Sequence, residues 1–350
     1  SDIPKSISGP KGFDVFEPEN YAIDFWESIE GMRVEIAPST AAAPQQHGDL
    51  VVTTEDFEAS GLTVNGGILL QETGPNAQSI QFKVQPNGPA RDLKVKTGDK
   101  FTKALTGVVN YGYGNYKVYA DLEDVKDALV EGDVEPKGTK IVKDENKLTV
   151  ATYNVENFSA NTSYTSNEKA QRIAKSFVDD MNSPDIIGIV EVMANRATSS
   201  TSPEANESYE RLINEIVAAE GPTYEYANID PEYDKDGGAP KGNIRVGYLY
   251  NPERVTFVET GNAGATDAVS YKGGKLTFNP GRVEPSKFPG TRKPLAAQFE
   301  FKGESVVIIN NHLNSKNGDQ PEYGQNQPAI KGSEAERHGL AKVVNGFVKE

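Results

Sequence analysis

Leu148-Thr149-Val150-Ala151-Thr152-Tyr153-Asn154-Val155-Glu156-Asn157-Phe158 is the stretch at which this chain changes character. Downstream of it, apolar strands alternate with amphipathic helices, whereas upstream there are mainly short strands. In an extended strand alternate side chains share a face, so Asn154 and Glu156 are expected on the same side of a sheet. An amide and a carboxylate so placed can coordinate one hard cation or hold a phosphate; they serve equally well as solvated polar groups at a strand end.

The pattern continues outward. Ala170, Ile173, Ala174, Phe177, Val178 and Met181 recur at helical spacing and predict an amphipathic helix over 167–181. Ser183-Pro184-Asp185 ends it, and Ile186 to Val190 reads as a strand buried on both faces. Glu191 emerges at its carboxyl end, the edge where sheets with helical crossovers usually bind ligands; as a bland alternative it is a solvated cap. Tyr209 to Ala219 repeats the helical pattern and stops at Gly221-Pro222. Ile244 to Tyr250 and Val255 to Glu259 read as strands meeting at Asn251-Pro252. Leu295 to Phe301 and Ser305 to Leu313 read as a hairpin around Lys302-Gly303, and Leu340 to Val348 as a helix. Val306 to Ile309 is expected to be buried, delivering His312 at its end amid Asn310, Asn311, Asn314 and Ser315.

His312 is one of three histidines. There it could bond a phosphoryl oxygen or transfer a proton, although a single histidine is more often structural. Arg292, in Thr291-Arg292-Lys293-Pro294, offers a fork of donors suited to a phosphate; by itself it would be a surface arginine.

Upstream, Met32 to Ile36, Leu50 to Thr53, Ser79 to Val84 and Thr106 to Tyr113 are candidate strands. Tyr113-Gly114-Asn115-Tyr116 reads as a hairpin with a Gly-Asn connection. Such spacing suggests a small barrel or sandwich. Asp121 to Leu129 is a short helix. Val130 to Asn146 is charged, aperiodic and broken by Gly132, Pro136 and Gly138, which marks a linker. The expected organisation is an all-β domain over 1–137, a linker over 138–146 and an α/β domain from 147 to 350.

Composition removes several function classes. With no cysteine there are no disulfides, thiolate metal sites or cysteine nucleophile. No apolar run is long enough to span a bilayer. The net charge of −15 argues against tight non-specific DNA binding. It does not argue against DNA cleavage, because a divalent cation inverts the charge of its own site. There is no nucleophile elbow, Walker loop or zinc-binding His-Glu-x-x-His. Asp230 to Gly238 lacks the twelve-residue calcium-loop pattern and reads as a mobile surface loop. Ser1 is not an initiator and no signal peptide is present, so the start reads as trimmed.

Five motifs occur in order: Thr152 to Phe158, Asp185 to Glu191, Arg245 to Tyr250, Arg292 to Leu295 and Asn311 to Lys316. Together they resemble the endonuclease/exonuclease/phosphatase superfamily, the fold of pancreatic-type deoxyribonucleases. Gly318 to Gly324, Asn326 to Pro328 and Ser333 to Arg337 look more specifically like the large secreted bacterial nucleases. Ile23 to Val34 is similar to the opening of the OB-like domain that precedes the nuclease domain in those enzymes. The resemblance implies an OB-like barrel followed by a four-layer α/β sandwich. It implies a secreted or cell-surface bacterial phosphodiesterase that hydrolyses DNA, or RNA, with Mg²⁺, or Ca²⁺ or Mn²⁺ in its place, and needs no obligate protein partner. Glu191 would be the principal metal ligand, with Glu156 assisting. Asn154 would orient the scissile phosphate or a metal-bound water. Arg292 and Asn314 would contact the phosphate, and His312 would stabilise the pentacovalent phosphorus. Tyr111, Tyr113, Tyr116 and Tyr119 could stack bases, but the acidity of this half favours a role in the barrel core and strand pairs.

The family continues with Gly-Asp-x-Asn and Ser-Asp-His motifs that do not occur after residue 316. The expectation is therefore a C-terminally truncated catalytic domain that binds metal weakly and cleaves poorly or not at all. Two other readings stand beside it: a phosphatase or phospholipase C-type member of the same fold, and a non-catalytic module that binds nucleic acid or cell-wall polymer.

Overall fold

The computed structural model describes residues 3–70 and 76–349. Ser1 and Glu350, on which the expectations about the chain's start and end fall, lie outside them. The chain is mostly β-sheet with a few helices and divides into two compact units. The first holds residues 1–136 and 317–332, the second 137–316 and 333–350. The sequence expectation had left 317–332 with the second domain.

The first unit comprises α1 (Ala22–Ser28), β1 (Arg33–Ile36), β2 (Ser39–Ala41), β3 (Asp49–Thr54), β4 (Ile80–Gln85), α2 (Asn87–Ala90), β5 (Lys100–Phe101), β6 (Leu105–Gly112), β7 (Asn115–Asp121), α3 (Leu122–Ala128) and β8 (Leu129–Val130). The strand order is β1-β6-β7-β4-β3-β2-β5-β8. All its pairs are antiparallel except β4 with β7. Only Ala37 and Pro38 separate β1 from β2, so one bent segment borders β6 at one end and β3 at the other. Alternation puts Ile80, Phe82 and Val84 of β4 inward, where they meet Leu50, Val52, Val109 and Val118. The β6–β7 turn differs from the expected Gly114-Asn115 connection: Asn115 pairs with Gly112, and the two turn residues are Tyr113 and Gly114. Both have positive φ, 54° and 78°, as a tight hairpin whose twist matches its strands requires.

The second unit begins with β9 (Val150–Phe158), α4 (Asn167–Lys175), β10 (Ile186–Val192), α5 (Asn206–Ala218), β11 (Glu225–Asn228) and β12 (Arg245–Tyr250). Ser166 caps α4 by accepting from the Lys169 N–H. The expected helix to Met181 is α only to Lys175 and continues as a wider π turn over Ser176–Asp180. These strands form one sheet, ordered β11-β12-β10-β9. Then follow β13 (Thr256–Phe257), the small hairpin β14 (Tyr271–Lys272) and β15 (Lys275–Leu276), β16 (Gly281–Arg282), β17 (Leu295–Phe301), β18 (Glu304–Asn310) and α6 (Gly332–Lys349). The second sheet is built on β17, which pairs with β13, β16 and β18.

Alternation along β10 assigns its two faces. Ile187 and Ile189 pack with Ala170, Ile173, Phe177, Leu212 and Ile216 of the α4–α5 layer. Ile186 and Val190 pack with Leu295, Ala297 and Phe299 of the second sheet. Farther out, Phe347 of α6 packs against Val269, Leu276, Val283 and Ala296. β18 is less buried than its apolar run suggested: Val307 is exposed, and Val306, Ile308 and Ile309 are half-buried. Among the described residues its partner is β17.

A polar clasp joins the two sheets. Asn310 donates to the carbonyls of Ile189 and Gly247 at 3.0 and 2.9 Å. The Tyr248 hydroxyl shares its single proton between Leu295 O at 2.7 Å and Ile308 O at 2.9 Å, and accepts from the Asn310 N–H at 2.8 Å. A Cβ at Gly188 would press on the Asn310 amide at 3.2 Å, so β10 is glycine where the clasp passes. Tyr248→Phe keeps the ring and strands its buried partners, so it is expected to lower unfolding free energy by about 1–3 kcal/mol in urea titration. A variant as stable as the parent would show the clasp to be energetically idle.

The segment 137–149 is irregular but tied down. Thr139 N–H bonds Asp180 O at 2.6 Å, and Arg254 Nη2 donates to the carbonyls of Asp144 and Lys147, each at 3.0 Å.

Candidate functional site

Three side chains from three strands meet at one end of the paired sheets. β9 supplies Asn154, β10 supplies Glu191, and the chain leaving β18 supplies His312. Asn154 Nδ2 donates to Glu191 Oε1 at 2.8 Å, and the Asn157 N–H donates to Glu191 Oε2 at 3.2 Å. His312 Nε2 lies 3.4 Å from Glu191 Oε1.

The backbone makes this meeting possible by breaking regular strand geometry. Glu191 has φ 68°, and the register of β10 shifts between Val190 and Val192 against both neighbours. Bulges of this kind re-aim a side chain. Opposite it, Glu156 and Asn157 have φ 52° and 55°. The Asn154 Oδ1 accepts the Glu156 N–H at 2.7 Å, closing a small turn that presents the Asn157 N–H to Glu191.

That turn separates Glu156 from the cluster. Its carboxylate is exposed and pairs with Lys169 Nζ at 3.0 Å, while the same Nζ bonds its backbone carbonyl at 2.6 Å. Asn314 is half-buried on the loop two residues past His312, and the bonds described for the cluster do not include it.

Arg292 stands behind the cluster, 7 % exposed, and its Nη2 donates to Leu313 O at 3.0 Å, one residue from His312. Burial holds its pKa below the ordinary arginine value, opposed by the negative charges of Glu191 and Asp236. It remains a cation. The His312 pKa is also lowered, first by burial and then by Arg292, with Glu191 pulling the other way. The imidazole is therefore mostly neutral at pH 7. Arg292 Nε and His312 Nδ1 are both buried and find no hydrogen-bond partner among the described residues.

A second group, not anticipated from the sequence, holds the Arg292 loop. Asp236 is 3 % exposed and accepts from Lys293 Nζ at 2.7 Å and pairs with Arg282 Nη2 at 3.0 Å. A side chain at Gly237, φ 66°, would collide with the carbonyl of Gly290. Asp230 pairs with the buried Arg245. The segment 230–238 is thus a surface loop, exposed at Glu232, Asp234, Lys235 and Gly238, that is anchored through the buried Asp236 and by the Asp230–Arg245 pair. Its acids and glycines carry no periodicity, and their partners lie far along the chain, so no local signal marked them.

As a metal centre the cluster is sparse. No group of three or more Asp, Glu or His suited to a metal ion occurs among the described residues. One carboxylate does fit the habit of Mg²⁺, which takes one or two carboxylates and completes its shell with water and phosphate oxygens, while the Asn154 oxygen is taken by the Glu156 N–H. The fit is to a weak site centred on Glu191.

No helix among the described residues is long and apolar enough to cross a membrane. A family model described as a domain of unknown function, DUF8508, matches residues 3–129. No curated protein matches the chain. Among solved structures, a humanized D. rerio TDP2 with 14 mutations matches at 17 % identity and TM-score 0.33, covering 58 % of this chain and 56 % of that one. D. rerio TDP2 described as complexed with single strand DNA product matches at 16 % identity and TM-score 0.30, with 58 % and 55 % covered. A beta hairpin deletion mutant of beta toxin from Staphylococcus aureus matches at 13 % identity and TM-score 0.30, with 58 % and 61 % covered. The chain thus spans little more than half the length of the solved structures it matches, and likeness at this level describes partial overlap of chain course and nothing of chemistry.

Proposed function

We propose that the second unit carries a divalent-metal-assisted phosphodiesterase site, with DNA as the favoured substrate class. The observation that carries it is the meeting of Asn154, Glu191 and His312 beside the buried, unbonded donor Arg292 Nε–H. A buried donor left unbonded costs roughly 1–3 kcal/mol. An anionic oxygen entering the cluster would relieve that cost, and a phosphoryl group has several. A cation held by Glu191 would polarise such an oxygen and offset its charge. Asn154 and the Asn157 N–H hold the carboxylate in place for that task. Arg292 contributes fixed positive charge behind the phosphate. His312, mostly neutral, offers one N–H, which can bond a phosphoryl oxygen, and one lone pair. Asn314 is assigned to the same phosphate by resemblance only, and Glu156 would have to leave Lys169 to assist.

In the same reading the first unit is an OB-like barrel. The order β1-β6-β7-β4-β3-β2, the parallel β4–β7 pair and the single bent β1–β2 segment support that closure. Secretion, proposed from the resemblance, has no structural argument beside it. With one carboxylate at the site, weak metal binding and slow turnover are expected of this chain.

The test combines binding and cleavage. Mn²⁺ binding followed by electron paramagnetic resonance should show one weak site. Supercoiled plasmid should be nicked slowly with Mg²⁺, stopped by chelation and slowed at least about tenfold by His312→Ala. Cleavage of a phosphomonoester or of sphingomyelin in preference to DNA would move the reading to the phosphatase or phospholipase C type. DNA binding indifferent to chelator, with no cleavage and no Mn²⁺ site, would replace it with a non-catalytic module.

A further inference from the structure

The first unit contains a cavity of about 500 Å³ that shares no residue with the cluster above. It is walled by aromatic rings: Phe13 and Phe16 from the segment before α1, Tyr111 and Tyr116 from the β6–β7 hairpin, and Tyr323 from the segment 317–332. The rings are set against one another edge-on, Tyr111 to Tyr116 at 5.0 Å and Tyr116 to Tyr323 at 5.9 Å. Tyr111 OH donates to Tyr323 O at 2.8 Å and fixes the two sides of the wall. Phe13 and Phe16 are 56 % and 59 % exposed, large apolar rings held at the surface of an acidic protein.

The remaining wall is anionic. Asp24, Glu27 and Glu30 follow at three-residue intervals along α1 and its C-terminal turn, and all three line the cavity. Their described partners are neutral. Asp24 accepts the Glu17 N–H at 2.8 Å, Glu27 accepts the Tyr116 hydroxyl at 2.6 Å, and Glu30 accepts the Tyr111 N–H at 3.2 Å. No Lys, Arg or His is among the described lining residues, and no ion pair described for the chain involves these three acids. Burial, reinforced by Glu27, pushes the Tyr116 pKa far above its ordinary value, so the hydroxyl stays a donor and leaves the carboxylate its charge.

Three uncompensated carboxylates in a concave wall focus negative potential into the cavity. Aromatic faces attract the same kind of ligand, since the ring quadrupole binds cations, methylated ammonium best when caged by several rings. We propose that this cavity binds an organic cation, an alkylated ammonium group on a small body, with the rings enclosing the head and Glu27 and Glu30 neutralising its charge. The site is independent of the phosphodiesterase reading, and its success or failure says nothing of that activity.

The test is titration of the whole chain by calorimetry or by ligand-observed NMR with choline, with its neutral carbon isostere 3,3-dimethylbutan-1-ol, and with glucose. The expected result is saturable choline binding, with the isostere at least about tenfold weaker. A Glu27→Gln/Glu30→Gln variant should weaken choline by about tenfold or more, and Phe16→Ala, at an exposed ring, by about threefold or more. Gln keeps an acceptor for Tyr116, and unchanged circular dichroism and melting would show both variants folded. Equal binding of the isostere, glucose binding without choline binding, no effect of the charge variant, or no saturable binding at all would each overturn the assignment.

Discussion

Glu191→Gln is expected to lower metal-dependent phosphodiester cleavage by about 10²- to 10³-fold and to abolish the weak Mn²⁺ site. Glu191 is the carboxylate that the described bonds bring to Asn154 and His312. The amide keeps the size of the side chain and its place at the bulge, so the change removes charge and little else. The cation would lose its anionic ligand, and the phosphate its countercharge. Loss of one such electrostatic element corresponds to about 3–4 kcal/mol of barrier in comparable sites, which is the stated range of rate. Folding should change little, because Gln can still accept from Asn154 Nδ2 or the Asn157 N–H. Initial rates on plasmid at saturating Mg²⁺, beside a thermal melt, decide it. A folded variant that cleaves within about twofold of the parent would remove Glu191 from the chemistry.

The reach and the limit of the sequence both show in this cluster. β10 and the β17–β18 hairpin were legible as short apolar runs between clear breaks, β9 as a β-rich run after a charged linker, and α4 and α5 because their apolar residues follow a helical period. Asn154, Glu191 and His312 were singled out for emerging at strand ends, and the structure brings these three together. Glu156 was grouped with Asn154 by assuming that alternation persists to the end of β9. Left-handed backbone at Glu156 and Asn157 interrupts it, so the Glu156 carboxylate turns to Lys169 while a backbone N–H of Asn157 reaches Glu191. Such an interruption is carried by two φ angles on ordinary residues and leaves no compositional trace. The same reasoning covers Asp236, whose partners Arg282 and Lys293 are far along the chain, and Tyr323, which joins Tyr111 and Tyr116 across some two hundred residues. The burial of β18 was overestimated for a different reason. Apolar content reports which residues can be buried, while neighbour strands decide whether they are.

Asp185→Ala is expected to destabilise the second unit by about 3–5 kcal/mol, the usual penalty for removing one partner of a buried ion pair. Asp185 is fully buried where β10 begins. Its carboxylate accepts from Arg254 Nε at 2.9 Å and from the Thr149 N–H at 2.8 Å, and Thr149 Oγ1 accepts the Asp185 N–H at 2.9 Å. Arg254 in turn bonds the carbonyls of Asp144, Glu145 and Lys147. One carboxylate thereby ties together the entry to β9, the start of β10 and the turn after β12, and its loss leaves the Thr149 N–H and Arg254 Nε unpaired. Burial alone would raise the Asp185 pKa, but the hydrogen bonds from Arg254 and Thr149 outweigh it and hold the pKa below its ordinary value. A carboxyl whose folded pKa is depressed adds stability above its unfolded pKa, about 3.9, and loses it as pH falls through the lower folded value. The parent should therefore lose stability on acidification below about pH 4, where the unfolded chain takes up this proton and the folded one resists it. Asp185→Asn, which keeps the shape and cannot titrate, should be less stable at pH 7 and should show a shallower decline over the same acid range. Urea unfolding at a series of pH values separates these outcomes. Parallel stability curves for Asp185→Asn and the parent would mean that another group governs the acid limb, and an Asp185→Ala variant within about 1 kcal/mol of the parent would mean that the junction holds without its carboxylate.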